Sequence, residues 1–387
     1  MFEALHRFAA PFAVVAFLSL APFGTTPSYG EDSASSSPAV QATGALPTTG
    51  VPEPGDYLQT IESGGMQRKY WVHLPTGFDF SRQRPLMVVI HGAFSKGSKV
   101  AEQYGFDRLA DREDFIAVYP EGIGFKGKFQ HWNAGFCCGK AKSDEVDDVA
   151  FLDAVIREVV GRLQVNRAKI YMVGESNGGM LTYLYAAKHA ETLAGIGVVY
   201  GTIGGQGKKD PQEWRIPKPT APLPVVAIHG RKDKRVAYDG GKNRGGGKVV
   251  SAQDSAMFWV HNNLCAKKPK KQTLWDGKVE RQFWSGCTLR SEVVLYSLDG
   301  WGHNWPGAGE KRRISNSKGE VFDAPEVIWE FLVAKRRWVQ IPSGMRPAQK
   351  GSTPPTLEPM KSPDSFKAVP PAPTEPEESP EPKPPQR

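Results

Sequence analysis

Short, continuous apolar runs recur through the middle of the chain, with longer segments of helical period between them. Residues 86–90 and 115–119 are continuous apolar runs of the kind a buried parallel strand shows, and residues 170–173 and 225–228 read as further strands. Residues 70–74 do alternate and predict an early strand; residues 293–298 predict a late one. From 149 to 163 the apolar positions Phe151, Val155, Val159 and Leu163, with Leu152 and Ile156 beside them, recur at helical spacing. Asp147 and Asp148 stand just before this helix, where carboxylates cap free amides, so they read as structural rather than as an acid pair. Asp323-Ala324-Pro325-Glu326 predicts the start of a final helix, with a capping box and a proline in its first turn. Strand and helix alternate throughout 56–341, which predicts one α/β domain: a mostly parallel central sheet with helices on both faces.

The ends of the chain lack this pattern. Residues 31–55 are rich in Ser, Pro, Thr and Ala and read as a flexible linker. Residues 342–387 are punctuated by proline and predict a disordered or partly polyproline II tail, either crossing a wall layer or hanging free. At 1–30, Arg7 precedes an apolar run at 12–20, and Ser28-Tyr29-Gly30 offers small residues for cleavage, as in a secretory signal peptide. That run is too short to span a bilayer, although Glu3 weakens the basic region and an uncleaved anchor is the competing reading. The expected location is secreted or periplasmic, with no integral membrane span in the mature chain.

Composition and charge narrow the partners. The chain has 387 residues, 40% of them hydrophobic, enough for a sizeable core. The net charge of +8 is scattered and densest at Lys267, Lys268, Lys270 and Lys271, which read as a solvated loop. No nucleic-acid-binding module accompanies these lysines, so no nucleic-acid partner is expected. The four cysteines fit an exported protein. Cys265 and Cys287 flank a lysine-rich loop and a strand-like run and predict a disulfide; the adjacent Cys137 and Cys138 form either a vicinal bridge or two thiols. Nothing at zinc-type spacing joins that pair, so no metal site is expected.

The strand at 170–173 leads into Gly174-Glu175-Ser176-Asn177-Gly178, and a helix-like segment with Met180, Leu181 and Leu184 follows at once. Strand, tight turn and helix form the context in which G-x-S-x-G means a raised nucleophile. The turn lifts the Ser176 hydroxyl and puts the Asn177 amide at a helix start, where an oxyanion is stabilised. Standing alone, the pentapeptide is equally a glycine-rich turn that happens to hold a serine; its flanking elements favour chemistry. A serine hydroxyl needs a base. In this topology an acid and then a histidine follow on loops after later strands. Asp233 follows the strand at 225–228, with Asp239 and Asp299 as competitors. His303 lies in a Gly- and Trp-rich loop after 293–298 and is preferred over His229, which ends a strand and reads as structural. The second oxyanion donor is expected from His91-Gly92-Ala93-Phe94: the Ala93 amide first, Phe94 second, with His91 bracing the loop. Trp132, Trp301 and Trp305 are candidate substrate contacts, with core packing as the open alternative for each.

Several further motifs occur in a matching order: Tyr119-Pro120-Glu121-Gly122, Trp132-Asn133-Ala134-Gly135 with Cys137-Cys138-Gly139, Asp147-Asp148-Val149-Ala150-Phe151-Leu152, the serine pentapeptide with Gly179-Met180, and Gly302-His303-Asn304-Trp305-Pro306-Gly307. Together they resemble the secreted esterase family that contains poly(3-hydroxybutyrate) depolymerases and feruloyl or acetylxylan esterases. The resemblance covers most of 56–341. It implies an α/β-hydrolase fold, with Ser176 matching the family nucleophile, Asp233 its acid and His303 its base. The family's segment after the acid is matched by Tyr238-Asp239-Gly240-Gly241, then Phe258-Trp259 and Cys265. Ala237 departs from a common proline, Lys234 and Arg235 make the acid loop basic, and Ala93-Phe94 differs from the commoner depolymerase pattern. Every reacting group is retained; substrate choice is left open.

The expected activity is therefore a secreted serine carboxylic-ester hydrolase that needs no metal or organic cofactor. Its partner is an ester substrate, either a hydroxyalkanoate oligomer or an esterified plant polysaccharide fragment. No separate substrate-binding module is visible, which favours soluble or short substrates over crystalline polymer. The alternatives are a serine peptidase and a non-catalytic envelope or carbohydrate-binding protein on a hydrolase scaffold. Oligomeric state is not specified by the sequence.

Overall fold

The continuous apolar runs become the inner strands of one sheet. In the computed structural model, which describes residues 44–47, 50–210, 212–307 and 313–337, its first strands are β1 (Gly55–Ser63), β2 (Met66–Leu74), β3 (Arg84–Ile90), β4 (Ile116–Pro120) and β5 (Val165–Glu175). There follow β6 (Gly195–Val199), β7 (Val225–Gly230), β8 (Lys270–Leu274), β9 (Val279–Trp284) and β10 (Val293–Leu298). Across the 10-stranded sheet they lie in the order β1-β2-β4-β3-β5-β6-β7-β10-β9-β8. Strands β4, β3, β5, β6, β7 and β10 run parallel. Antiparallel pairs close both sides, β1 with β2 and β8 with β9.

Each inner strand serves two cores, which is why its sequence does not alternate. Leu86, Val88 and Ile90 point into one core with Ile170 and Met172, while Met87 and Val89 point into the other with Tyr171 and Val173. The first core is covered by α4 (Asp148–Arg162), α5 (Asn177–Lys188) and α6 (Ala252–Asn262). The second is covered by α1 (Gly97–Tyr104), α2 (Phe106–Glu113) and α7 (Ala324–Val333). A short helix α3 (Gly139–Ser143) lies between β4 and α4 in the chain.

Four local expectations are corrected. Asp147 caps α4 by accepting the Ala150 amide at 2.9 Å, but Asp148 turns inward instead. There it pairs with Arg68 at 2.8 Å, the two side chains 0% and 2% exposed, and accepts the Asn133 amide at 2.7 Å. Asp323 stands at the start of α7 without making a side-chain cap bond, so the expected capping box is not formed; its carboxyl lies beside Gly307. Lys270 and Lys271 belong to β8, an edge strand, and not to a loop; charged edge positions discourage pairing with another chain. The end of the expected linker packs on the domain: Leu46 is buried, its carbonyl accepts Arg162 Nη2 at 2.8 Å, and Gly44 pairs with Leu58.

The expected signal peptide at 1–30 and tail at 342–387 lie outside the described residues. Among the described residues no helix is long and apolar enough to cross a membrane. Cys265 is bonded to Cys287, and Cys137 to Cys138.

Candidate active site

Between the end of β5 at Glu175 and the start of α5 at Asn177, one residue must reverse the chain. Ser176 does so at φ 54° and ψ −118°, a conformation that costs a non-glycine residue roughly 1–3 kcal/mol. Neighbouring glycines make the turn possible. A Cβ at Gly174 would collide with the Gly178 carbonyl and the Thr182 hydroxyl, and one at Gly178 with the carbonyls of Ile90 and His91. The Ser176 amide is tied to the Val199 carbonyl at 2.8 Å, which fixes the turn against β6.

The half-buried Ser176 hydroxyl lies 2.9 Å from Nε2 of His303, and Nδ1 of the same ring lies 2.6 Å from Oδ2 of Asp233. The three side chains stand on loops at the C-terminal ends of β5, β10 and β7, where parallel strands deliver their loops to one edge. Asp233 is fully buried as a side chain. Burial opposes its charge, but hydrogen bonds from His229 and His303, with the charge of those rings, outweigh it and hold the carboxyl well below the usual range. Its Oδ1 accepts the amides of Arg235 at 2.8 Å and Val236 at 3.0 Å. A carboxylate so fixed accepts a hydrogen bond from Nδ1–H of an imidazole, which leaves Nε2 as acceptor for a hydroxyl proton. His229 donates from Nε2 to the Val236 carbonyl at 2.8 Å and lies 3.4 Å from Asp233, bracing the acid loop. Asp239 and Asp299 are both exposed.

Asn177 opens α5, and its side chain is locked on Trp132: Oδ1 accepts the Trp132 amide at 2.8 Å and Nδ2 donates to the Trp132 carbonyl at 3.1 Å. In the loop after β3 the Phe94 amide is already given to the Gln130 carbonyl at 2.8 Å, which leaves the neighbouring Ala93 amide as the candidate donor. His91 braces this loop as expected. Its Nδ1 donates to the Gly92 carbonyl at 2.8 Å and its Nε2 accepts the Gly122 amide at 3.0 Å, so the ring is neutral; burial drives its pKa down to about 4.

The tryptophan expectation is corrected in two cases. Trp132 is wholly buried and donates its indole proton to the His91 carbonyl at 2.8 Å. Trp305 is sealed as well, stacked flat on Tyr104 with centroids 3.9 Å apart. Packing consumes both faces that a substrate would need. Trp301 remains partly exposed, its indole donating to the Asn304 carbonyl at 2.7 Å.

Sequence reasoning missed the clamp on the His303 loop. The Tyr200 hydroxyl donates to the same Asn304 carbonyl, and its ring lies 5.2 Å from that of His303. On the other side the Tyr104 hydroxyl donates to Glu175, so the residue before Ser176 holds the ring on which Trp305 stacks. Glu175 was visible inside the pentapeptide. Tyr104 and Tyr200 carry no local signal, because only the fold brings them there.

Asp56, His73 and Asp107 form a cluster on β1, β2 and α2, with Asp111 alongside. Burial disfavours a charge on His73, but the hydrogen bond to Asp56 and the charges of Asp107, Asp56 and Asp111 raise its pKa to about 9. Nδ1 of that ring lies 2.8 Å from Asp56 and Nε2 3.4 Å from Asp111, so both ring nitrogens face carboxylates. A cavity of about 530 Å³ lies between α4, α5 and Trp214, with none of Ser176, Asp233 or His303 on its wall.

The sequence profile of the family described as Esterase PHB depolymerase matches residues 68–211. Feruloyl esterase C of Emericella nidulans is 26% identical over 311 residues, 77% of this chain and 97% of its own. Feruloyl esterase B of Piromyces equi is 26% identical over 241 residues, 61% of this chain and 42% of its own. Among solved structures, a Bacteroides ovatus protein assigned to dipeptidyl aminopeptidase IV superposes with a TM-score of 0.51 at 13% identity. The superposition covers 73% of this chain and 36% of that one. That likeness concerns the fold, and the sheet order and parallel centre described above are those of an α/β-hydrolase.

Proposed function

We propose that this chain, a carboxylic ester hydrolase carrying the Esterase PHB depolymerase domain, works through Ser176, His303 and Asp233. The unbroken hydrogen-bonded line from the Ser176 hydroxyl through His303 to Asp233 carries the reading. His303 Nε2 takes the hydroxyl proton as Ser176 Oγ attacks the acyl carbon, and the carbonyl electron pair moves onto oxygen. The amides of Ala93 and Asn177 hold that oxyanion, the second at a helix start where its charge is favoured. As the carbonyl reforms, the ester C–O bond breaks and His303 passes its proton to the departing alcohol. Water, deprotonated by the same ring, then attacks the acyl-enzyme; His303 returns the proton to Ser176 Oγ and the acid leaves. This cycle requires no metal and no organic cofactor.

The names of the relatives support two substrate classes, poly(3-hydroxybutyrate)-type esters and feruloyl esters. Export to an oxidising compartment is supported by the two disulfides. A fluorophosphonate probe should label the native protein and not Ser176→Ala. His303→Ala should lose about a thousandfold or more of its turnover of p-nitrophenyl acetate. Undiminished turnover in that variant would exclude the proposed base, and an unlabelled native protein would mean a binding protein on a hydrolase scaffold. Preferential cleavage of a peptide anilide would instead mean a peptidase.

A further inference from the structure

The loop that carries Asp233, and the turn fastened to it, are one-sided in charge. Residues 231–248 hold seven cations and two acids, Asp233 and Asp239, in a chain whose net charge is +8. Asp233 is engaged with His229 and His303, and Arg231 with Glu280 at 3.2 Å. The other six cations are Lys232, Lys234, Arg235, Lys242, Arg244 and Lys248. All are exposed, and among the described residues none of them forms an ion pair. Backbone bonds gather them. The Arg244 amide donates to the Lys234 carbonyl at 2.9 Å, and Lys242 stands opposite Lys248 in a short antiparallel pairing. Like charges so gathered repel one another, and an anion from outside relieves that repulsion.

The chemistry decides which half of an ester meets these cations. His303 serves both the Ser176 hydroxyl and the departing alcohol, so the alcohol half leaves on the His303 side, away from the oxyanion donors Ala93 and Asn177. The cationic loop borders that side: the Lys232 amide donates at 2.8 Å to the carbonyl of Trp301, two residues before His303. A neutral alcohol gives these cations nothing to bind. An alcohol that ends in a carboxylate does.

We propose that Lys232, Lys234 and Arg244, with the cations beside them, recognise a carboxylate on the alcohol half of the ester, and that the substrate is a short hydroxy-acid oligomer with a free carboxyl end. This deepens the ester-hydrolase reading of Ser176 and rests on it. In such an oligomer each ester joins the acid of one unit to the hydroxyl of the next. Only the last ester has an alcohol half with a free carboxylate. There the bond from the acyl carbon to the alkoxy oxygen breaks, His303 protonates that oxygen, and water supplies the hydroxyl that completes the acyl half as an acid. One hydroxy acid is released, and the shortened chain ends in a new carboxylate, so the same recognition serves the next cut.

The free-acid dimer of 3-hydroxybutyrate and its primary amide share one inner ester and differ in charge. The readout is the ratio of their kcat/KM values, measured by chromatography of the products, because a ratio cancels any loss of folded protein. At low salt the native chain should favour the free acid about tenfold, and about 0.5 M NaCl should bring the ratio near one. Lys234→Gln with Arg244→Gln should lower the low-salt ratio about fivefold or more. A native ratio near one, or a ratio that the substitutions leave unchanged, overturns the proposal. Hydrolysis of p-nitrophenyl acetate without cleavage of either dimer does so too. Heparin binding that the substitutions abolish, with no preference between the dimers, would assign the cations to an anionic polymer instead. Calorimetry on Ser176→Ala protein reads recognition without chemistry: the free acid should bind about tenfold more tightly than the amide. That preference in a protein whose active form hydrolyses no ester would sink the hydrolase reading and leave the carboxylate recognition standing.

Discussion

His91 and Asp233 show how single buried groups near Ser176 are tuned by their partners. Asp233 keeps its charge because amides and rings surround it; His91 keeps its neutrality because its Nε2 accepts an amide and burial penalises a proton. The second case has a consequence for stability. The folded pKa of about 4 lies below the ordinary value of about 6.5, so between those values the unfolded chain binds a proton that the native state refuses. His91 thus contributes fully above about pH 6.5, and that contribution drains away as the pH falls toward 4, by about 3 kcal/mol at most. Urea unfolding at pH 7.5, 5.5 and 4.5 should show a shallower acid loss in His91→Gln than in the native protein. Identical slopes would mean that the ring is not buried neutral.

At the scale of elements, the pair between Arg68 on β2 and Asp148 on α4 joins parts 80 residues apart in sequence. It also positions the site, because Asp148 holds the Asn133 amide, next to the Trp132 backbone that locks Asn177. Removing one partner leaves a buried uncompensated charge, so Asp148→Ala should lower unfolding free energy by about 3–5 kcal/mol. Arg68→Met combined with Asp148→Ala should recover part of that loss. A cost under about 1 kcal/mol for the single variant would place the pair in the class of solvent-screened ion pairs. The turn at Ser176 is likewise an element-scale device, since β3, β5, β6 and α5 all press on it.

Across the whole molecule the parallel centre is buried on both faces, while the antiparallel margin β8–β9 is an edge. The Cys265–Cys287 bond fastens the end of α6 to the segment after β9, closing a sequence separation of 22. By loop-closure entropy such a link is worth about 3 kcal/mol. Cys265→Ala with Cys287→Ala should lower the urea midpoint accordingly, with p-nitrophenyl acetate turnover retained below the transition. An unchanged midpoint would show that the margin is held by packing alone.

The sheet and the positions of Ser176, Asp233 and His303 were legible in the sequence because their signals are local. A strand buried on both faces must be apolar at every position, and a residue on a loop just after such a strand is delivered to one edge of the sheet. Other features depend on partners far away in the chain. The sequence marks Asp148 as a cap residue, yet its carboxylate bonds to a guanidinium on another strand. Trp132 and Trp305 lie in motif loops, yet burial by the surrounding elements decides which way they face. Periodicity records which faces must be dry. Which distant groups meet there was decided by tertiary packing, because that choice depends on contacts no local stretch contains.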